Sequence, residues 1–357
     1  MKILLEPNIR LYKYTLLRFI NDGQFGDLWI AKDETLDTEV ALKIINFTGQ
    51  NLAPIIEEAK QGHKFEHQNL IRVHYADVIA YKSWNLALIA MEYMRNGDIT
   101  RELNARQFLS VPRVVEILRD VLTGLEYLHS RSFIHNDVKP SNILVGNHRE
   151  GILTDYGITG FAPNGSVPAK NGYLQHMAPE TQAQAHMPIS IQSDIYQTGI
   201  TGYRLLNGIS SISNHLRHAG LDQFKIDKCK GKIPDPKGYL LHIPPRLRNI
   251  INKACEVDTG KRYHSALQMR RELEKVQFPG YWTINSRGNY LGVGSKWEYR
   301  FEKIAKPGGT LDLIAWKKNI QSNREIKFGD FSKSNLTIGQ CEKEIAKLMK
   351  WVNENAK

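Results

Sequence analysis

Short apolar runs separated by polar turns dominate the first 95 residues. Residues 14–20 and 28–31 flank a glycine-bearing turn, 40–45 is a β-branched run and 86–91 is another, the pattern of strands packed on one face. Between them, residues 54–65 carry helix formers with a proline near the start, which predicts one helix. From Ser110 the period changes: Val114, Val115, Leu118, Val121, Leu122, Leu125 and Leu128 recur at spacings of three and four, the stripe of a helix buried along one face. Further helices are predicted near 195–206, 245–255 and 265–276. Phe278-Pro279-Gly280 then breaks the pattern. Strands are predicted at 282–284, 297–304, 311–316 and 326–331, with turns at Gly288, Gly308-Gly309 and Asn323. A last helix opens with a capping box formed by Thr337 and Gln340, and Ile338, Cys341, Ile345, Leu348 and Val352 keep its period. A strand-rich part, a helix-rich part and a small β-then-α module are expected in that order.

Composition narrows the class. The chain has 357 residues with 41% apolar and 24% charged side chains, enough for two or three cores, so fibrous and wholly disordered readings are excluded. No run approaches the roughly 18 apolar residues of a membrane span, and the N-terminus alternates charge with apolar residues, so neither a span nor a secretory leader is expected. Cys229, Cys255 and Cys341 are odd in number and widely spaced, which predicts free thiols in a cytoplasmic, reducing setting. Net charge is +11. It is unevenly spread: residues 278–357 hold 14 basic and 8 acidic side chains, net +6, against +5 for the longer remainder.

Candidate chemistry begins at residues 21–28, Asn-Asp-Gly-Gln-Phe-Gly-Asp-Leu, where Gly23 and Gly26 allow a hairpin to fold over phosphates. Lys43 ends an apolar strand, where an ammonium is costly unless it meets anions, and Glu58 on the following helix is a partner at hand. The alternative is a lysine reaching to water from an edge strand. Residues 133–145 are richer. Asp137, Lys139 two residues on and Asn142 five residues on offer an acceptor for a hydroxyl proton, a cation for a phosphoryl group and a metal ligand. Asp155 supplies a second carboxylate at a strand end, suited to a hard divalent ion such as Mg²⁺.

Over residues 14–277 these motifs, in this order, resemble the eukaryotic-type serine/threonine protein kinase family: the glycine loop, Val40-Ala41-Leu42-Lys43, Glu58, Met91-Glu92-Tyr93-Met94, His135-Asn136-Asp137 with Lys139 and Asn142, Asp155-Tyr156-Gly157, Met177-Ala178-Pro179-Glu180, Ser193-Asp194 and Lys261-Arg262. The resemblance implies an α+β bilobal fold with a β-rich N-lobe at 1–94, an α-rich C-lobe at 95–277 and an accessory module at 278–357. It implies ATP and Mg²⁺ as cofactors and a protein as substrate. Asp137 would be the catalytic base and Lys139 would steady the γ-phosphoryl group. Lys43, fixed by Glu58, would grip the α- and β-phosphates, and Asn142 and Asp155 would hold the metal. Gly23 and Gly26 would cover the phosphates, and Ile20, Leu28, Ala41 and Leu144 would sandwich the adenine. Met91 would be the gatekeeper, with backbone groups of Glu92 and Met94 pairing the base edge. Glu180 and Arg262 would form a buried structural ion pair.

Several positions depart from the family. Asn21 replaces the first loop glycine, and Tyr156 replaces a phenylalanine. Gly62 lacks the side chain expected to stack on Tyr156, so Glu58 is expected to need support from outside, with the C-terminal module as a candidate. Asn136 replaces the arginine that answers an activation-loop phosphate, which predicts activity without loop phosphorylation. Tyr173 stands where Ser/Thr kinases carry threonine, whereas Lys139-Pro140 favours Ser/Thr acceptors. Thr159 and Ser166 are candidate self-modification sites. Lys225, Lys228, Lys230, Lys232 and Lys237 are expected to form a solvated loop face, with Cys229 an ordinary surface thiol. Trp282, Trp297, Trp316 and Trp351 among the lysines of the last module fit a core better than a nucleic-acid platform, leaving the module to recruit a protein or brace the kinase. The competing classes are a pseudokinase acting as a binding module, whose mark would be loss of Lys43, Asp137, Asn142 or Asp155, and a small-molecule kinase of the aminoglycoside type, which would lack residues 177–180 and the Asp194 helix.

Overall fold

The computed structural model describes residues 4–23, 26–49, 51–104, 106–155, 160–161, 166–167, 173–182, 188–285 and 287–356; the side chains of residues 22, 54, 58, 161, 166 and 167 lie outside the description as well. The N-lobe is a six-stranded antiparallel sheet of β1 (Arg10–Leu11), β2 (Tyr14–Gly23), β3 (Gly26–Asp33), β4 (Thr38–Asn46), β5 (Val73–Tyr81) and β6 (Trp84–Glu92), in the order β1-β2-β3-β4-β6-β5. Helix α1 (Ala53–Lys64) lies between β4 and β5 in sequence and opens with Pro54, whose missing N–H is harmless in a first turn. Inward residues of the sheet, among them Leu16, Trp29, Leu42, Leu86 and Leu88, form one apolar cluster. Strand β5 escapes the sequence pattern because its residues alternate between half-buried and exposed, as expected at a sheet edge.

The C-lobe is helical. Helix α2 (Val111–His129) buries the whole predicted stripe, and the short strands β7 (Phe133–Ile134), β8 (Ile143–Val145) and β9 (Gly151–Leu153) carry the loop between them. Then come β10 (Gly160–Phe161), β11 (Ser166–Val167), α3 (Pro179–Gln182), β12 (Ile189–Ser190), α4 (Ile191–Asn207), α5 (Ser211–Ala219), α6 (Leu221–Cys229), α7 (Pro245–Ala254) and α8 (Ala266–Glu274). Helix α4 is buried on nearly all sides. A Cβ added at Gly199 would sit 2.6 Å from Cys255 Sγ, and one at Gly202 would sit 2.7 Å from Ile251 Cδ1, so both glycines set the close approach of α7. Residues 225–230, expected as a loop, fall largely in α6. Lys230, Lys232 and Lys237 are exposed as expected. Lys225 is half-buried and Lys228 departs furthest, being fully buried.

The C-terminal module pairs β13 (Gly280–Ile284), β14 (Tyr290–Gly294), β15 (Trp297–Ala305), β16 (Leu311–Asn319) and β17 (Glu325–Lys327) in sequence order, with β18 (Lys333–Leu336) also on β16, under α9 (Ile338–Asn355). The Thr337/Gln340 capping box forms, and Gly288, Gly308, Gly309 and Asn323 all adopt positive φ at the turns. The strand expected at 326–331 stops at Lys327, after which Gly329–Phe331 makes a 3₁₀ turn. Trp282 is fully buried and donates its ring N–H to Met349 O at 3.2 Å; Trp351 packs on Tyr299, Phe328 and Phe331. The module meets the C-lobe at His242, whose buried ring lies 5.3 Å from Phe108 and 5.6 Å from Tyr290, while Asn353 donates to His242 O at 2.9 Å. Arg106 lies 5.3 Å over the Tyr290 ring. Among the described residues no hydrogen bond, ion pair or ring contact joins the module to α1, and the side chain of Glu58, which the module was a candidate to steady, lies outside the described residues.

Candidate active site

A cavity of about 220 Å³ opens between the sheet and the C-lobe. Ile20, Gly26, Leu28, Ala41, Lys43, Met91, Met94, Leu144, Asn142 and Asp155, all singled out in the sequence, line it. Gly26 has φ +140°, and a Cβ there would stand 2.5 Å from Ile44 O, so the hairpin tip needs glycine at that place. Glu92 does not line the cavity. It lines a separate depression beside Phe65 and Arg72, and its backbone N–H is spent on Arg72 O at 2.9 Å, which leaves only its carbonyl for a ligand. The side chains of Glu58 and Ser166, and the residues Gln24, Phe25, Tyr156, Gly157 and Thr159, lie outside the description, while Gly23 is described as the last residue of β2. Sequence reasoning missed the cavity's remaining wall, notably Val73, Ile89 and Thr154; Val73 and Ile89 belong to apolar alternation that marks core and cleft alike.

Lys43, Asn142 and Asp155 bring charge and polarity to the cavity wall, and Asp137 and Lys139, which do not line the cavity, join them through Asn142. Lys43 Nζ donates to Asp155 Oδ1 at 3.4 Å. Asp155 has φ +73°, a conformation that Asp tolerates better than most residues. Burial would raise its pKa, but the charges of Lys43, Lys139 and His135 outweigh burial and hold it below the ordinary carboxylate value. Asp137 is nearly buried, and its Oδ2 accepts from Lys139 Nζ at 2.6 Å and from Asn142 Nδ2 at 2.8 Å. Asn142 Nδ2 also donates to Asp137 O at 3.0 Å. With its amide nitrogen so used, Asn142 keeps its carbonyl oxygen for a cation. Among the described residues nothing donates to Asp137 Oδ1.

The loop that carries Asp137 is not regular structure, so its polar backbone needs other partners. The fully buried Asp194 at the start of α4 accepts from the N–H of His135 at 2.9 Å and of Asn136 at 2.7 Å, and is bonded to His129 Nε2 at 2.8 Å. Gln197 one turn on accepts from Val138 N–H at 2.9 Å and donates to Asn136 O at 3.0 Å. Asn136 itself has φ +60°. The residue is 5% exposed and its side-chain Oδ1 accepts from Gln197 at 3.3 Å, so it is turned inward to the scaffold. The sequence marks Asp194 only as a motif member; an acidic residue within an otherwise apolar helix is the signal that it answers buried donors.

The segment 173–182 lies alongside. The Tyr173 ring is 5.5 Å from Lys139 Nζ, and His176 Nδ1 hydrogen-bonds Val138 O at 2.9 Å. Glu180 and the buried Arg262 form a two-pronged pair at 2.9 and 2.7 Å, with further Arg262 bonds to the carbonyls of Glu256 and Gln192.

A hairpin-covered cleft, a lysine and two carboxylates around it, and a helix-anchored loop agree with what comparison with known proteins finds: the protein kinase domain model matches residues 14–272. The chain belongs to the protein kinase family. It is 27% identical over 278 residues to serine/threonine-protein kinase PrkC of Bacillus subtilis, covering 73% of this chain and 40% of that protein. It is 28% identical over 261 residues to serine/threonine-protein kinase PknA of Mycobacterium tuberculosis, covering 71% and 58%, and 32% identical over 256 residues to serine/threonine-protein kinase sid1 of Schizosaccharomyces pombe, covering 70% and 51%. The kinase chain thus spans between about two fifths and three fifths of these curated relatives. Among its described residues no helix is long and apolar enough to cross a membrane.

Proposed function

We propose that this chain is an ATP- and Mg²⁺-dependent protein kinase that transfers the γ-phosphate to serine and threonine hydroxyls of a protein, without phosphorylation of its own activation segment. The observation that carries the reading is that Lys43, Asn142 and Asp155 line one cavity while Asp137, bonded to both Asn142 and Lys139, stands directly behind that wall. The apolar walls formed by Ile20, Leu28, Ala41, Met91 and Leu144 fit a flat base, with the carbonyl of Glu92 and the backbone of Met94 at its edge. Gly23 and Gly26 at the hairpin tip let the backbone approach the phosphates. Lys43 holds the α- and β-phosphates, with Glu58 as its expected second partner. Asn142 Oδ1 and the Asp155 carboxylate are hard oxygen donors that suit Mg²⁺, which when bound neutralises charge on the transferring group.

Asp137 Oδ1 takes the acceptor proton as the hydroxyl oxygen bonds to phosphorus and the bond to the β-phosphate oxygen breaks. Lys139 stays beside Asp137 and steadies the phosphoryl oxygens. Lys139-Pro140 and the names of the relatives both favour Ser/Thr acceptors. Asn136, neutral and turned into the scaffold, gives an activation-segment phosphate no cation to meet at that position. All four residues whose loss marks a pseudokinase are present. We assign residues 1–94 and 95–277 to the two lobes and 278–357 to an accessory module that braces the C-lobe around His242 and leaves its basic outer face for a protein partner. The three free cysteines fit a reducing, cytoplasmic setting.

Incubation with labelled ATP and Mg²⁺, beside Asp155→Ala, followed by mass-spectrometric mapping, tests the reading. Label on serine or threonine that vanishes with Asp155→Ala supports it; label on tyrosine alone overturns the acceptor assignment. Replacing every hydroxyl residue between 155 and 180 should leave transfer intact, and its loss would overturn independence from loop phosphorylation.

A further inference from the structure

Lys228 presents a buried cation that the phosphotransfer chemistry does not use. It is fully buried on α6, and its Nζ donates to the carbonyl oxygens of Leu174 at 2.8 Å, Gln175 at 3.0 Å and Met177 at 2.9 Å. An ammonium has three N–H groups and no acceptor, so all three donors are used. Among the described residues no carboxylate comes within ion-pair distance of it. A buried ammonium without a counter-ion is costly, and here the convergent carbonyls are what offset that cost. Such convergence is absent from helix and strand, where carbonyls point along or across the element, so residues 174–177 are wound around the cation.

The far side of that turn touches the catalytic loop, through Tyr173 beside Lys139 and through His176 on Val138 O. We propose that Lys228 is a positioning residue for the phosphoacceptor: it holds residues 174–177 in the shape against which a protein substrate lies beside Asp137. The proposal rests on the kinase reading and adds the part of the molecule that captures the acceptor.

The environment of Lys228 supplies a readout that simple scaffolding would not. Burial lowers its pKa to about 7, opposed by Cys255 at the end of α7, Cys229 on its own helix and Glu180 on α3. His176 faces it from the segment itself, Phe224 from α6 and Tyr196 from α4. As pH rises through that value Nζ loses a proton. The neutral amine has two N–H groups for three carbonyls and turns a lone pair toward the third. The folded pKa is depressed, so the cost of burying the charge is present below it and is relieved above it; global stability therefore does not fall as the segment loosens.

The test uses the whole chain with myelin basic protein as acceptor. Lys228→Met, which keeps the stem and removes the donors, should raise the acceptor KM about tenfold with the ATP KM within about twofold. The wild-type acceptor KM should rise between about pH 6.5 and about pH 8.5 without a fall in Tm, and the variant should lose that dependence. Equal acceptor KM in both proteins, or a parallel rise in ATP KM, overturns the proposal. If Lys228→Met does not fold, a flat wild-type profile of acceptor KM against pH overturns it alone. If the wild-type chain transfers no phosphate, the kinase reading falls, and hydrogen exchange of residues 173–182 judges Lys228: unchanged protection in Lys228→Met overturns its role, and faster exchange there, with α2 unaffected, upholds it.

Discussion

The catalytic loop and the segment 173–182 run side by side, and α4 and α6 hold them with opposite charges. The loop turns its N–H groups inward at His135 and Asn136, where the Asp194 carboxylate receives them. The neighbouring segment turns carbonyls inward, where the Lys228 ammonium meets three of them. Neither stretch has ladder partners of its own at these points, and buried backbone polar groups must be paired. A single buried charge under each bend supplies several bonds at once. The sign of the charge follows from which end of the peptide dipole faces in. Farther along the segment the same logic is repeated with a side chain, Glu180 against Arg262.

The largest expected effect separates chemistry from scaffolding within this pair. Asp137→Asn keeps the shape of the loop but removes the base, so transfer should fall by about 10²- to 10⁴-fold while ATP affinity stays within about twofold. A similar loss of ATP affinity, measured by equilibrium binding, would mean that Asp137 serves the loop's structure as Asp194 does. Next comes Arg262→Met. It strands Glu180 in a site where the pair was almost closed to solvent, and unfolding free energy should drop by about 3–5 kcal/mol. Adding Glu180→Gln should recover part of that loss in a denaturant titration, because the stranded charge goes with it.

The two regions also differ in how far the sequence disclosed them. Asp137, Lys139, Asn142 and Asp155 stand at fixed spacings that chemistry requires, and the structure brings them together. Helices α2 and α4 were visible because their apolar residues keep the helical period. Lys228 was not visible: it stands in a run of lysines of which Lys225 is half-buried and Lys230, Lys232 and Lys237 are exposed, and nothing local distinguishes the one that points inward. Strand β14 was missed for a related reason. Gly292 weakens its strand pattern, yet a Cβ there would press within 3.1 Å of the Trp282 ring, so tertiary packing selects a residue that local propensity disfavours. The strand predicted at 326–331 failed in the opposite sense, since its apolar residues fit a strand while Gly329 lets the chain turn.

A smaller effect tests whether the bend in the catalytic loop depends on Asn136. At φ +60° an L-residue with an ordinary side chain costs about 1–2 kcal/mol, whereas glycine bears little strain. Asn136→Ala should therefore lower the unfolding free energy by about that amount, and Asn136→Gly by less. Equal losses from both would assign the site's importance to the Gln197 bond instead of the backbone conformation.

The smallest effect at neutral pH concerns the joint between the two regions. His176 Nδ1 donates to Val138 O, and Nε2 accepts from Arg204 at 2.6 Å, an arrangement open only to the neutral ring. Burial foremost, then the charges of Arg204 and Lys228, hold its pKa well below the usual histidine value, against the opposing bond to Val138 O. The unfolded ring titrates near pH 6.5. Between that value and the lower folded one, the unfolded chain binds the proton and the native one does not, so stability is complete above about pH 6.5 and declines as pH falls below it. His242, lowered by burial to about 4, and His67 and His74, also lowered, add slope of the same sign. Denaturant titrations from about pH 7.5 down to about pH 5 should therefore give a shallower decline for His176→Gln than for the wild type, with the curves converging toward the acid end. Parallel curves would mean that the joint between loop and segment carries no proton-linked energy, and that the decline belongs to His242 at the module seam, to His67 against Tyr127 and to His74 on β5.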